Sequence, residues 1–121
     1  AAMVAENRRH AVPASVDSIP TSAMQEDHVS MGWGAARKLR ASLGNLGRIL
    51  AVELSAAARG LELRSPLTPA PGTAAALAAL RDEVPGPGPD RWLSPELASA
   101  ERLVGSGDLL DAVDAAIGGL E

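Results

Sequence analysis

The sequence predicts an all-α fold, and three observations carry that expectation. Leu39, Leu43, Leu46, Leu50, Leu54, Ala57 and Leu61 recur at steps of 4, 3, 4, 4, 3 and 4, which is a helical stripe. Proline- and glycine-rich stretches punctuate the rest at intervals suited to short helices. No segment alternates polar and apolar residues with the period of two that a half-buried strand requires.

Taken in order, Ala1 to about Arg9 is built of helix formers. The next twelve residues, Ala11 to Ser22, mix Pro13 and Pro20 with small polar residues and read as a loop. Val12, Val16 and Ile19 in that loop predict that it packs down onto the protein. Ser22-Ala23-Met24-Gln25 has capping-box spacing, and Asp27 offers a second N-cap for the long helix that follows. From Asp27 to about Leu63 that helix would reach roughly 50 Å at 1.5 Å per residue. The mean step of its stripe, about 3.67 residues, favours a nearly straight helix over a left-handed supercoil. Ile49, Val52 and Ala56 form a second apolar flank, so two neighbours are expected to pack on it. Gly32, Gly34, Gly44 and Gly47 each weaken a helix by about 1 kcal/mol relative to Ala. Close approach of another helix is the expected reason for them.

Arg64 to Gly72, with Pro66, Pro69 and Pro71, ends the long helix. Thr73 can cap a short helix running to about Val84. Pro85-Gly86-Pro87-Gly88-Pro89 is a rigid connector, and Ser94-Pro95-Glu96 supplies an N-cap, a first-turn proline and an acidic first turn. That helix stops near Gly105. Asp108 can cap a last one, which ends at Gly118-Gly119.

Composition narrows the function. The net charge is −4 and the only locally basic runs are Arg8-Arg9 and Arg37-Lys38-Leu39-Arg40, so no nucleic-acid footprint is expected. With no cysteine there are no disulfides or thiolate metal sites, which fits a cytoplasmic protein. Glu53 and Arg59 interrupt the best apolar run, so no membrane span is expected. Two Trp and no Phe or Tyr leave the core to Leu, Ile, Val and Ala. Ala1 to Asn7 has no signal-peptide pattern and reads as the last turns of a helix, so the chain is expected to be a piece of a longer protein.

Gln25-Glu26-Asp27-His28 gathers ionisable and ligand-type side chains where loop meets helix. On spacing alone it is a capping cluster. A metal site would need further ligands at helical spacing, and the only other histidine is His10. A hydrolytic triad of Ser22, His28 and Asp27 lacks a nucleophile elbow, and adjacent helical residues do not face each other. Gly105-Ser106-Gly107 has neither a preceding strand nor a P-loop pattern and reads as a helix break.

The twenty residues from Pro13 to Gly32, including Gln-Glu-Asp-His-Val-Ser-Met-Gly, closely resemble the signature block of the aromatic amino-acid lyase family, in its histidine ammonia-lyase branch. A looser likeness runs through Ala35 to Leu39, Val52-Glu53-Leu54 and Gly86 to Arg91, nearly to the end. The resemblance implies a piece of a larger helical lyase fold, divided into a helix end and active-site loop (1–27), a long helix (28–63) and C-terminal helices (64–121). It implies elimination of ammonia from L-histidine to give trans-urocanate. It also implies a methylidene-imidazolone cofactor formed from an Ala-Ser-Gly tripeptide, and a homotetramer whose active sites combine residues of several subunits. The block's glutamate falls on Glu26, at the substrate imidazole, with Gln25 beside it as a further substrate contact. Lyases for phenylalanine or tyrosine typically carry Gln at that place, so Glu26 and His28 together point to histidine.

The chain departs from the family pattern at Met24, where many relatives have Asn, and around Trp33 and Gly34. The larger departure is that no Ala-Ser-Gly occurs, and the family places that tripeptide far upstream of the glutamate block. The tyrosine and arginine the family uses at the reacting centre also belong to that upstream part. A chain of this kind is expected to be inactive alone and to need an N-terminal remainder as its partner. Two other readings stay open: a non-catalytic helical assembly module, supported by the leucine stripe, and a lyase or aminomutase acting on another aromatic amino acid.

Overall fold

A computed structural model describes residues 1–119; the last two residues of the expected C-terminal segment, Leu120 and Glu121, lie outside the described residues. Five α-helices follow one another: α1 (Ala2–His10), α2 (Gly32–Glu62), α3 (Pro71–Glu83), α4 (Ser94–Ser106) and α5 (Asp108–Ile117). Among the described residues there is no strand, only one isolated antiparallel bridge between Pro20 and His28. The all-α class read from the stripe and the missing alternation is the observed one. No helix among the described residues is long and apolar enough to cross a membrane. The chain packs as two compact units, Ala1–Leu46 and the part from Gly47 onward.

In the first unit a polar clasp ties α1 to the N-terminal half of α2. Asn45 is buried, at 5% exposure, and its amide donates to Glu6 Oε2 at 2.9 Å and to Asn7 Oδ1 at 3.0 Å. The Asn7 amide donates in turn to the Ser42 carbonyl at 3.3 Å. A buried amide with two acceptors is satisfied, so the clasp costs little desolvation while fixing the pairing of the two helices.

The second unit holds the hydrophobic core: Ala51 and Ala58 of α2, Leu80 and Val84 at the end of α3, and Ala100 and Leu103 of α4. Leu54, Leu77 and Leu109 pack against it. On α2 the covered face is therefore Ala51, Leu54, Ser55 and Ala58, spaced three and four apart. Of the expected leucine stripe, Leu54 lies on this face, whereas the leucines before it do not. Leu39, Leu43, Leu46 and Leu50 are 41–62% exposed, and Val52 and Ala56 are exposed as well. The small alanines let the neighbouring helices approach closely, whereas the bulkier stripe lies about a quarter-turn away. A methyl group built on Gly34, Gly44 or Gly47 would meet nothing within 4 Å, so no helix among the described residues explains those glycines.

The helix ends correct three expectations. The long helix begins at Gly32 rather than near Asp27, because the residues before it are committed to a separate turn around Ser22–Met24. Helix α3 starts two residues before Thr73, with Pro71 at its first position and Ala74 N–H donating to the Ala70 carbonyl at 2.8 Å; proline's fixed φ preorganises that first turn. Ser94 is the first residue of α4 and makes no capping bond. Leu93 already has helical dihedrals and accepts from Leu97 N–H at 3.0 Å. Gly105-Ser106-Gly107 is the helix break expected. Gly107, at φ 94°, ends α4 and begins α5, and its carbonyl accepts from Leu110 and Asp111 N–H groups at 2.9 and 3.0 Å.

Candidate active site

Between α1 and α2 the chain passes through the loop that carries Gln25 and Glu26. The apolar residues expected to pin it, Val12, Val16 and Ile19, are 55–73% exposed. Hydrogen bonds hold it instead. Lys38 Nζ donates to the Val12 carbonyl at 2.7 Å, Ser18 Oγ donates to the Val29 carbonyl at 2.6 Å, and Val29 N–H donates to the Ile19 carbonyl at 3.1 Å. The last two, with the Pro20–His28 bridge, bring the two ends of the segment 18–29 together. The segment is thus a closed hairpin-like excursion, and Glu26 sits near its tip.

The tip does not have the geometry of a helix cap. Ser22, Ala23 and Met24 form one short turn in the left-handed region, with φ of 50°, 53° and 71°. L-residues pay roughly 1–2 kcal/mol each for that conformation. Three in succession, none of them glycine, is strain of the kind that collects at functional sites. Met24 N–H and Glu26 N–H both donate to the Thr21 carbonyl, at 3.1 and 3.3 Å, and Gln25 N–H donates to the Ser22 carbonyl at 3.1 Å. Neither Ser22 nor Asp27 caps α2. The Gln25 N–H, which a capping box would pair with the Ser22 side chain, donates to the Ser22 carbonyl instead.

The Glu26 carboxylate is exposed on this chain and accepts a hydrogen bond from Thr21 Oγ1 to Oε2 at 2.7 Å. That bond holds its pKa below the ordinary 4.5, with a smaller contribution from the Ser22 hydroxyl, against a slight desolvation in the opposite direction. Asp27 and His28 flank it in sequence, and their side chains make no hydrogen bond or ion pair among the described residues. Gln25 is exposed beside it and its amide has no partner among them either. The structure therefore presents an ionised carboxylate and a free carboxamide from one strained turn. A cleft of the first unit, lined by His10, Val12, Lys38 and Ser42, does not include Gln25 or Glu26 in its lining. Among the described residues no three His, Asp or Glu side chains gather as a metal site.

Thr21 is the partner of Glu26 that the sequence pattern does not announce. Capping-box spacing singles out Ser22 as the hydroxyl of interest, while Thr21, five residues before Glu26, is the group that reaches the carboxylate. Only the left-handed turn brings the two together, and no propensity rule signals three non-glycine residues in that region. The second unit holds two further arginine–glutamate clamps that spacing does not announce. Arg81 binds Glu62 through two bonds of 2.6 and 2.7 Å, and Arg91 binds Glu96. Both lower the pKa of their carboxylates through the arginine hydrogen bonds.

The family model for aromatic amino acid lyase matches residues 1–82. The chain is 59% identical to a histidine ammonia-lyase of Streptomyces avermitilis and 60% identical to that of Streptomyces griseus, each over 99% of its length. It spans about a quarter of the length of these curated relatives, 24% in each case. Among solved structures, histidine ammonia-lyase from Trypanosoma cruzi superposes with a TM-score of 0.89 at 37% identity, over 96% of this chain and 23% of that one. Tyrosine aminomutase from Streptomyces globisporus gives 0.86 at 35% identity, over 95% and 22%. With the family model covering two thirds of its residues, and the glutamate-bearing loop inside that match, the chain belongs to the aromatic amino acid lyase family.

Proposed function

We propose that this chain is the C-terminal part of a histidine ammonia-lyase, which eliminates ammonia from L-histidine to give trans-urocanate. The observation that carries the reading is the Gln25-Glu26-Asp27-His28 turn, set in a chain 58–60% identical to three Streptomyces histidine ammonia-lyases. Glu26 is the catalytic residue of this chain. Its carboxylate accepts a hydrogen bond from the substrate's imidazole N–H and exchanges a proton with the ring as charge develops there. The Gln25 carboxamide, unpartnered beside it, binds the same substrate.

The family's methylidene-imidazolone supplies the electrophile of such a reaction. No residue here fits the group. No Ala-Ser-Gly occurs in the 121 residues, and Gly105-Ser106-Gly107 is a helix break whose serine hydroxyl donates to Asp108 Oδ2 at 2.7 Å. What this chain contributes is the carboxylate. The electrophile belongs to an N-terminal remainder, in a cytoplasmic homotetramer whose subunits share their active sites.

Urocanate formation, followed by ultraviolet absorbance, tests the division of labour. The isolated chain should give none, and a full-length lyase carrying this chain should give it readily from L-histidine. Turnover by the isolated chain would overturn the division. A second reading draws on the likeness to a tyrosine aminomutase. It requires that tyrosine compete with histidine in the full-length enzyme; the presence of Glu26 rather than Gln at the imidazole position favours histidine.

A further inference from the structure

We infer that Thr21 is a positioning residue for Glu26: its hydroxyl, 2.7 Å from Oε2, fixes the direction in which the carboxylate is offered to the substrate. The inference rests on the reading of Glu26 as the substrate-facing carboxylate. A glutamate has three side-chain torsions, and an exposed one samples many rotamers at a cost in entropy when it must act from one of them. Here two bonds tie the same pair of residues. Thr21 donates through its hydroxyl to the Glu26 carboxylate, and the Thr21 carbonyl accepts from the Glu26 N–H at 3.3 Å. The pair is closed into a ring, and the left-handed run Ser22–Met24 is the short arc that allows it.

The backbone strain of that arc has a consequence at the side chain. In a regular helix running through 21–26, residues five apart are not facing neighbours, so the two side chains would not meet. With the arc in place, the threonine engages Oε2 and the carboxylate stays exposed, so it can also accept from an imidazole N–H. The same hydroxyl favours the ionised form of the carboxylate, the form an acceptor must have. Asp27 and His28, the titratable groups next to it, make no bond to it, so the hydroxyls of Thr21 and Ser22 are its local support.

The test uses a full-length lyase carrying this chain, with Thr21→Val, Thr21→Ser and Glu26→Gln, assayed for urocanate across pH. Thr21→Val keeps the shape and removes the donor. It should lower kcat/KM on histidine by roughly 10- to 100-fold, the scale on which misplacement of a catalytic group is felt. It should also move the acid limb of the kcat/KM profile to higher pH. Thr21→Ser should restore both, to within about threefold of wild type. On a Glu26→Gln background, Thr21→Val should cost nothing further, because the residue it positions is gone. If Glu26→Gln abolishes turnover while Thr21→Val leaves rate and acid limb unchanged, the positioning role is refuted and the role of Glu26 stands. An equal defect in Thr21→Ser and Thr21→Val also refutes it, since the hydroxyl is then not the agent. Should the valine variant fail to fold, Thr21→Ser against Thr21→Ala makes the same comparison. Unchanged kinetics in Glu26→Gln would remove both roles together.

Discussion

Replacing Glu62 by Gln removes one charge from the clamp at the end of α2 and leaves its shape almost intact. Glu62 is the last residue of α2, where the helix dipole disfavours a negative charge. Arg81 offsets that charge with two parallel bonds of 2.6 and 2.7 Å, and its remaining nitrogen donates to the Val84 and Pro85 carbonyls at 3.3 and 3.2 Å. The guanidinium thus ties the end of α2 to the end of α3 and to the proline connector. The two side chains are 20% and 24% exposed, between the surface and buried regimes. Fully buried pairs cost about 3–5 kcal/mol when broken and exposed ones about 0–1. We expect about 1–2 kcal/mol for Glu62→Gln. Arg81→Met should cost somewhat more, roughly 2–3 kcal/mol, since two carbonyls also lose their donor. A double-mutant cycle in urea, read by far-ultraviolet circular dichroism, should return a coupling of about 1 kcal/mol or more. For a unit of this size each kcal/mol lowers Tm by roughly 4–8 °C. The pH dependence has a definite sign. The folded-state pKa of Glu62 lies below the ordinary 4.5, so the unfolded chain takes up the proton first as pH falls. The contribution is whole above about pH 5 and is lost as pH drops through the folded pKa. A coupling within about 0.3 kcal/mol of zero, or a wild-type acid denaturation profile in Glu62→Gln, would refute this account of the clamp.

The second unit carries two more stability predictions. Leu80 is fully buried at the centre of the core, so Leu80→Ala should cost about 2–5 kcal/mol by urea titration; a loss under about 1 kcal/mol would mean that the cluster is not the core. Gly107 stands at φ 94°, and a methyl group at its Cβ position would meet nothing within 4 Å. Gly107→Ala should therefore cost about 1–2 kcal/mol from backbone conformation alone, and a neutral result would contradict the left-handed junction of α4 and α5.

The helices were legible because their signals are local. Leucine periodicity, the proline at the start of α4 and the glycines at the ends of α4 and α5 act within a turn or two. Which face of α2 is buried was not legible. Leu39, Leu43, Leu46 and Leu50 outweigh Ala51 and Ala58 on any hydropathy count, yet the alanines are the residues in the core. That choice depends on which helices come close, a tertiary matter that periodicity does not address. The site shows the same division. Gln25-Glu26 was recognised from its neighbours in sequence, whereas the left-handed turn and the reach of Thr21 to Glu26 were hidden behind an apparent capping box. Ser22-Ala23-Met24-Gln25 satisfies the pattern of that box without its geometry, because the Gln25 N–H donates to the Ser22 carbonyl rather than to the Ser22 hydroxyl.

The central claim is that Glu26 is the carboxylate this chain brings to the imidazole of histidine. Its most direct test is kcat/KM for L-histidine in a full-length lyase carrying this chain, with and without Glu26→Gln. The variant keeps the size of the side chain and removes its charge and its ability to take a proton. A fall of about 10²- to 10⁴-fold, the range of a lost general acid–base group, is the predicted result. Kinetics within about twofold of wild type would contradict it.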